Sequence, residues 1–242
     1  QAANTDTAVD GCTAGSGADT IVLGAGTYLL TELIDLDIST NITIEGAGRT
    51  ATIINILNPG HRAFNVTGTG SLTINNLTIQ GGNLGAGDGA GIAVAAGASL
   101  VAESLNFSNF QAVNGGSISN AGVAQLNRIN NAQSSASANG GAIANQIGGT
   151  LLITRSTIQG ANGALGGAIY NAGSLSVVNT TLGNNNASIS GGGIFIDGSD
   201  LLLANATIAR NINGGLGFIN AAAATLTIRN TILAGNTVND CV

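Results

Sequence analysis

The chain has 242 residues, of which 44% are hydrophobic and only 7% charged, with 38 glycines and a formal net charge of −6. This apolar content excludes ordinary disorder, because disordered chains are poor in hydrophobic residues and rich in charge. Nucleic acid is excluded as a partner because the chain has no lysine and no basic run with which to neutralise phosphates. No run of 18 apolar residues occurs, so we predict no membrane insertion.

Residues 1–19 are polar and glycine-rich, and we assign them to an N-terminal segment available as an edge or assembly contact. Residues 20–242 are predicted to form one parallel β-helix. Its beginning is less regular than the rest, with strands expected near residues 21–23, 28–30, 42–44 and 53–56.

Charged residues gather in this irregular beginning: Glu32, Asp35, Asp37, Glu45, Arg49, His61 and Arg62. Asp35 and Asp37 are two apart, so they share a face if this stretch is a strand. Glycoside hydrolysis needs two carboxylates across one bond, which makes this cluster the candidate for a polysaccharide lyase or hydrolase. We favour a solvated, irregular first coil, and we predict no catalytic residue, no metal site and no cofactor.

From Leu72 onward, the pattern aliphatic–x–aliphatic–x–Asn–x–Thr–aliphatic recurs, in part degenerate, in seven copies. They begin at Leu72, Leu100, Ala124, Leu151, Leu175, Leu201 and Leu226, at separations of 28, 24, 27, 24, 26 and 25 residues. Spacing this regular predicts a solenoid. Leucine-rich repeats share the period, but their helical segments are not matched by any helical periodicity here.

A second motif, Gly-Gly-x-Ile or a close relative, precedes most copies, around Ile92, Ile118, Ile143, Ile169 and Ile194, with a degenerate version near Leu216 and Phe218. Each period therefore holds two or three strands joined by Gly and Asn turns. Alternation along a strand points Leu72, Ile74, Leu77 and Ile79 inward, with a bend between the two pairs. The fold class predicted is all-β, a single-stranded right-handed parallel β-helix of about eight or nine coils.

Two polar columns accompany the repeat. Asparagines recur at one turn position, Asn76, Asn179, Asn205 and Asn230, where stacked amides are expected to bond from coil to coil. Threonines recur at one outward position, Thr78, Thr157, Thr181 and Thr207. A threonine row suits ice binding, but Asn106, Asn130 and Ile232 interrupt it. Threonine is also simply a good strand residue, and we favour this explanation of the row.

The runs GCTAGSGADTIVLGAGTYLLT (residues 11–31) and LTIRNTILAGNTVNDC (residues 226–241) resemble β-helix modules of large secreted bacterial surface proteins, of the CSLREA or polymorphic outer-membrane-protein type. Cys12 is followed here by Thr13, Ala14 and Gly15, so the Cys-Ser-Leu-Arg-Glu-Ala motif itself is absent. The resemblance implies secretion and a bacterial extracellular or cell-surface location, and it transfers no catalytic residue. A start at Gln1, without methionine or apolar leader, suits a secreted protein.

The cysteines, Cys12 and Cys241, lie near opposite ends of the chain. Coils about 4.8 Å apart separate them by roughly 35–40 Å, whereas a disulfide needs Cα atoms within about 7 Å. They are expected to crosslink molecules stacked head to tail; free thiols, or Cys12 folded onto a local cap, are the alternatives. Neither end shows a capping element, so open-ended association is expected, unless the chain is a fragment of a longer β-helix.

These observations predict a secreted structural protein without enzymatic activity, the subunit of an extracellular filament whose partner is another copy of itself. The main alternative is a monomeric cell-surface adhesin or passenger module that binds glycan or matrix through its lateral face. A polysaccharide lyase and an ice-binding protein are less favoured.

Overall fold

The computed structural model describes residues 2–8, 11–31, 34–219 and 225–241. In that part of the chain a short helix, α1 (Ala2–Thr5), precedes 28 strands. The first fourteen are β1 (Asp19–Leu23), β2 (Gly26–Leu30), β3 (Leu36–Ile38), β4 (Asn41–Gly46), β5 (Thr52–Ile56), β6 (Phe64–Val66), β7 (Ser71–Gly81), β8 (Ile92–Val94), β9 (Ser99–Ser108), β10 (Gln111–Ala112), β11 (Ile118–Asn120), β12 (Val123–Asn127), β13 (Asn130–Ala132) and β14 (Ser135–Ala136). The remainder are β15 (Ile143–Asn145), β16 (Thr150–Thr154), β17 (Thr157–Gln159), β18 (Asn162–Leu165), β19 (Ile169–Asn171), β20 (Ser174–Val178), β21 (Thr181–Gly183), β22 (Asn186–Ser190), β23 (Ile194–Asp197), β24 (Leu201–Ala204), β25 (Thr207–Ala209), β26 (Leu216–Ile219), β27 (Leu226–Arg229) and β28 (Ile232–Ala234).

All these strands pair in parallel with their counterparts one coil away, which makes a β-solenoid of about eight turns and confirms the predicted fold class. They form four stacks. Stack A runs β1, β4, β7, β9, β12, β16, β20, β24, β27, and stack B runs β2, β5, β7, β9, β13, β17, β21, β25, β28, with β7 and β9 contributing to both. Stack C is β10, β14, β18, β22, and stack D is β3, β6, β8, β11, β15, β19, β23, β26.

The core is a set of aliphatic columns inside the coils. Leu72, Ile74, Leu77 and Ile79 are all fully buried, as the alternation predicts. Asn76 lies between the two pairs with φ of 57°, and this left-handed residue makes the predicted bend.

The same left-handed conformation recurs between stacks A and B in successive coils, at Asn76, Ser104, Arg128, Arg155, Asn179, Asn205 and Asn230. Asparagine tolerates this conformation better than most residues, which explains why it recurs at this position. The expected amide stack does not explain it: the Asn76 amide donates to Glu45 Oε1 at 2.9 Å. We call these seven residues the left-handed row.

Amide ladders lie elsewhere in the coils. In stack D, Asn120 donates to Asn145 at 2.8 Å and Asn145 to Asn171 at 2.7 Å, all three fully buried. After stack B, Asn185 donates to Asn211 at 3.0 Å and Asn211 to Asn236 at 2.9 Å. Because buried amides cost free energy when unpaired, each ladder holds neighbouring coils in register.

The Gly-Gly pairs before stack D have two separate causes. Gly140 has φ of 65°, a conformation that disfavours other residues. A Cβ on Gly141 would lie 2.2 Å from the Gly167 carbonyl oxygen of the next coil. The first glycine serves the turn and the second allows close stacking of the coils.

Candidate functional sites

The N-terminal end of the solenoid opens into an apolar cavity of about 680 Å³. Ile21 is 41% exposed there, whereas Ile44, its neighbour in stack A, is 5% exposed. The cavity is also lined by Phe64, by Asp35 and by His61. This cavity is the inward face of the first coil, which is covered by a neighbouring coil on one side only.

The predicted charged cluster separates into two groups. Asp35 pairs with Arg62, whose Nε lies 2.8 Å from Asp35 Oδ2, and with His61, whose Nδ1 lies 3.6 Å from Oδ1. The Arg62 backbone N–H donates to Asp35 Oδ1 at 2.9 Å. Asp37, beside them, accepts from Asn65 Nδ2 at 2.8 Å.

Glu45 and Arg49 lie apart from that group. Glu45 accepts from Asn75 and Asn76 on β7, and Arg49 extends along the flank of the solenoid. Glu32 lies outside the described residues. The carboxylates that remain at the cavity are held by an arginine, a histidine and an amide, and among the described residues no three His, Cys, Asp or Glu groups are placed to hold a metal ion.

Stack D is covered at both ends by the chain itself. At the first coil, the Asn4 side chain donates to the Asp37 carbonyl and accepts from the Ser39 N–H at 3.1 Å. At the last coil, the Leu216 N–H donates to the Asp240 carbonyl at 3.1 Å, and Leu216 forms a bridge with Cys241.

Stacks A and B are open at both ends. Within the described ranges, β1 and β2 pair only with β4 and β5, and β27 and β28 pair only with β24 and β25. Leu226 and Ile228 are each 40% exposed, although the residues stacked against them, Leu201 and Leu203, are 1% and 0% exposed. The final coil therefore presents inward-facing side chains and unpaired strand edges to solvent.

Cys12 and Cys241 are both free and exposed. Cys12 precedes β1 in the first coil, and Cys241 lies beside β26 in the last. Partial burial of the Cys241 thiol raises its pKa above the ordinary value. That thiol is therefore mostly protonated at neutral pH and slow to react as a nucleophile.

A lateral cleft of about 450 Å³ was not predicted from the sequence. Arg49, Arg128 and Arg155 line it, together with polar residues of stack B. The sequence did contain one sign of this cleft: at the turn position of the left-handed row, arginine replaces asparagine in two successive coils.

No family model matches the chain, and no curated protein matches it. Two solved structures are similar to the chain. One is ORF18 of Geobacillus virus E2, at 13% identity and a TM-score of 0.47, covering 90% of this chain and 52% of that one. The other is a mutant of the PL6-family alginate lyase AlyGC, at 14% identity and a TM-score of 0.36, covering 88% of this chain and 38% of that one. At these scores neither likeness bears on function, and the chain spans about half or less of each.

The described residues contain no helix with the length and apolar character needed to cross a bilayer.

Proposed function

We propose that this protein is a secreted structural protein whose solenoids stack head to tail into an extracellular filament. The observation that carries the proposal is that, among the described residues, the outermost strands of stacks A and B (β1, β2, β27 and β28) each pair on one side only. Secretion rests on the resemblance of the two end segments to bacterial surface modules.

The pairing between copies would continue the pairing within one copy. Strand β27 of one molecule would lie against β1 of the next, and β28 against β2, both in parallel. Unpaired strand edges recruit other strands, and burying Leu226 and Ile228 removes apolar surface from water. A head-to-tail contact that does not close into a ring propagates as a filament.

The covered ends of stack D limit where the contact forms. Asn4 occupies backbone groups of the first coil, and residues 237–241 continue the path of the last. The interface would therefore rest on stacks A and B, which face each other across the joint.

The experiment compares two changes in the same last strand. Ile228→Glu places a carboxylate at an inward position, and Thr227→Glu, the control, places it at the neighbouring outward one. Sedimentation should show large assemblies for the parent protein and for Thr227→Glu, but monomers for Ile228→Glu. A parent protein that stays monomeric at high concentration contradicts the proposal.

Crosslinking of the joint by Cys12 and Cys241 is a separate part of the proposal. Both thiols are exposed and lie at opposite ends, so a head-to-tail contact brings one from each molecule to the same joint. Non-reducing electrophoresis should show a disulfide-linked ladder, lost in Cys12→Ser and Cys241→Ser. Filaments without the ladder would remove the crosslink and leave the stacking intact.

A further inference from the structure

Three of the six arginines of this acidic chain converge on one lateral cleft. Arg128 and Arg155 belong to the left-handed row in adjacent coils, with φ of 55° and 50°. Arg49 reaches them from the turn between β4 and β5, and its Nη1 donates to the Arg128 carbonyl at 3.3 Å. Residues that are far apart in sequence therefore place three guanidinium groups around one space.

Each arginine is held by one fixed contact that leaves other donors available. Arg128 Nη1 lies 3.2 Å from Glu103 Oε1, and Arg155 Nε donates to Asn127 Oδ1 at 3.0 Å. The turn that carries Arg49 is anchored by the Thr78 hydroxyl, which donates to the Arg49 carbonyl at 2.5 Å. Since a guanidinium has five N–H donors, these contacts orient the groups without exhausting them.

The backbone does not account for arginine at these two positions. Asparagine tolerates the left-handed conformation and fills the row in four coils, whereas a long side chain gains nothing from it. Among the described residues, three arginines and no carboxylate line the cleft, and the carboxylate that pairs with one of them is that of Glu103, on Arg128. The local charge is therefore positive on a chain with net charge −6.

The rest of the cleft suits a ligand rich in hydroxyl groups. Asn106, Asn130 and Thr157 lie in register on three successive coils of stack B and line the cleft. Their spacing is about 4.8 Å along the solenoid axis. None of the described residues that line the cleft is aromatic, which disfavours single-stranded nucleic acid because its bases bind by stacking on aromatic rings.

We propose that this cleft binds an anionic polysaccharide lying along the solenoid. The guanidinium groups bind its carboxylate or sulfate groups, because the planar arginine side chain can donate two parallel hydrogen bonds to such groups. The amides and the hydroxyl of stack B form hydrogen bonds with its sugar hydroxyls. The site lies on the flank, so it is independent of the stacking proposed for the ends.

Calorimetric titration of the full chain tests the site with three hexasaccharides: a uronate, a sulfated one and a neutral one. At least one anionic hexamer should bind saturably and more weakly as salt is added, because screening weakens exposed charge pairs. Whichever of the two anionic hexasaccharides binds more tightly shows whether the cleft prefers carboxylate or sulfate groups. The neutral hexamer should bind at least about tenfold more weakly.

Matched variants locate the binding. Arg49→Gln and Arg155→Gln should each weaken it by about tenfold, as expected for loss of a charge-assisted contact. Arg210→Gln is the control, because Arg210 is also exposed and left-handed, with φ of 59°, but lies outside the cleft. Unchanged melting temperatures for the variants show that the fold is intact.

The proposal is overturned if neither anionic hexamer binds saturably, or if the neutral one binds as tightly. Equal weakening by Arg210→Gln would also overturn it, because the attraction would then be nonspecific.

Discussion

Leu203 and Ile228 occupy the same inward column in adjacent coils, yet one is fully buried and the other is 40% exposed. They occupy paired positions in parallel strands, but Leu203 has a paired strand on either side, whereas the described residues pair Ile228 on one side only. In a solenoid each coil is buried by its two neighbours, so the last coil has half the burial of those in the middle. The contrast between middle and end therefore governs local stability, and it is the basis of the assembly that we propose.

The largest difference should come from truncating these two side chains. Leu203→Ala should lower the free energy of unfolding by about 2–5 kcal/mol, as for a buried leucine. Ile228→Ala should cost only about 1–1.5 kcal/mol in dilute protein, because the side chain is already partly in water. Urea denaturation of both variants measures the difference. Equal losses would show that the last coil is covered within the single chain.

The amide ladders give the next comparison. Asn145→Leu breaks the hydrogen bonds to Asn120 and Asn171 together with those to two backbone carbonyls, and should cost at least about 1–3 kcal/mol. Asn236→Leu, at the end of the second ladder, removes the acceptor of Asn211 and the bond to Asp240, but it should cost less, because Asn236 is only half-buried and water reaches this end of the ladder. Thermal unfolding ranks the two variants. A larger loss at Asn236 would contradict the account.

The left-handed row predicts smaller effects. Asn179→Val, in a middle coil, should cost about 1–2 kcal/mol, because a β-branched residue disfavours this conformation. The same change at Asn230, in the last coil, should cost less, because that coil can relax. Arg155→Asn should leave stability equal or slightly raised. A loss comparable to that of Asn179→Val would mean that the arginine supports the fold.

The smallest effect is confined to alkaline pH. The Tyr170 hydroxyl donates to Asp197 Oδ2 at 2.6 Å, and burial, the hydrogen bond and the charge of Asp197 raise its pKa well above the ordinary value. A raised pKa favours the neutral phenol in the folded state, so this stabilisation is complete below about pH 10 and is lost as pH rises further. The free energy of unfolding, measured by urea denaturation between pH 8 and 11, should fall more steeply with pH for the parent protein than for Tyr170→Phe. Parallel curves would contradict this.

The repeat predicts much of this fold because stacking makes it periodic. Leu72 and Ile74 belong to columns that recur in every coil, so spacing and alternation suffice to place them. The buried ladder of Asn120, Asn145 and Asn171 carried a signal too, since each lies two residues after an isoleucine that faces inward. That signal is visible only once the strand of stack D is assigned.

The lateral cleft could not be derived in this way. Arg49 and Arg128 are 79 residues apart, and their contact depends on how an irregular turn folds along the flank. The charged cluster likewise separates, because Asp35 lies before β3 whereas Glu45 belongs to β4 in a different stack. A repeat in the sequence is enough to locate the strands. The conformation of an irregular turn is not repeated, so periodicity cannot predict it.

Electron microscopy of the native protein at neutral pH without reductant tests the central claim, that unpaired ends of stacks A and B drive head-to-tail assembly. Nine stacked strands at about 4.8 Å predict long thin filaments with a subunit repeat of roughly 40 Å. Isolated short rods at high protein concentration would contradict it.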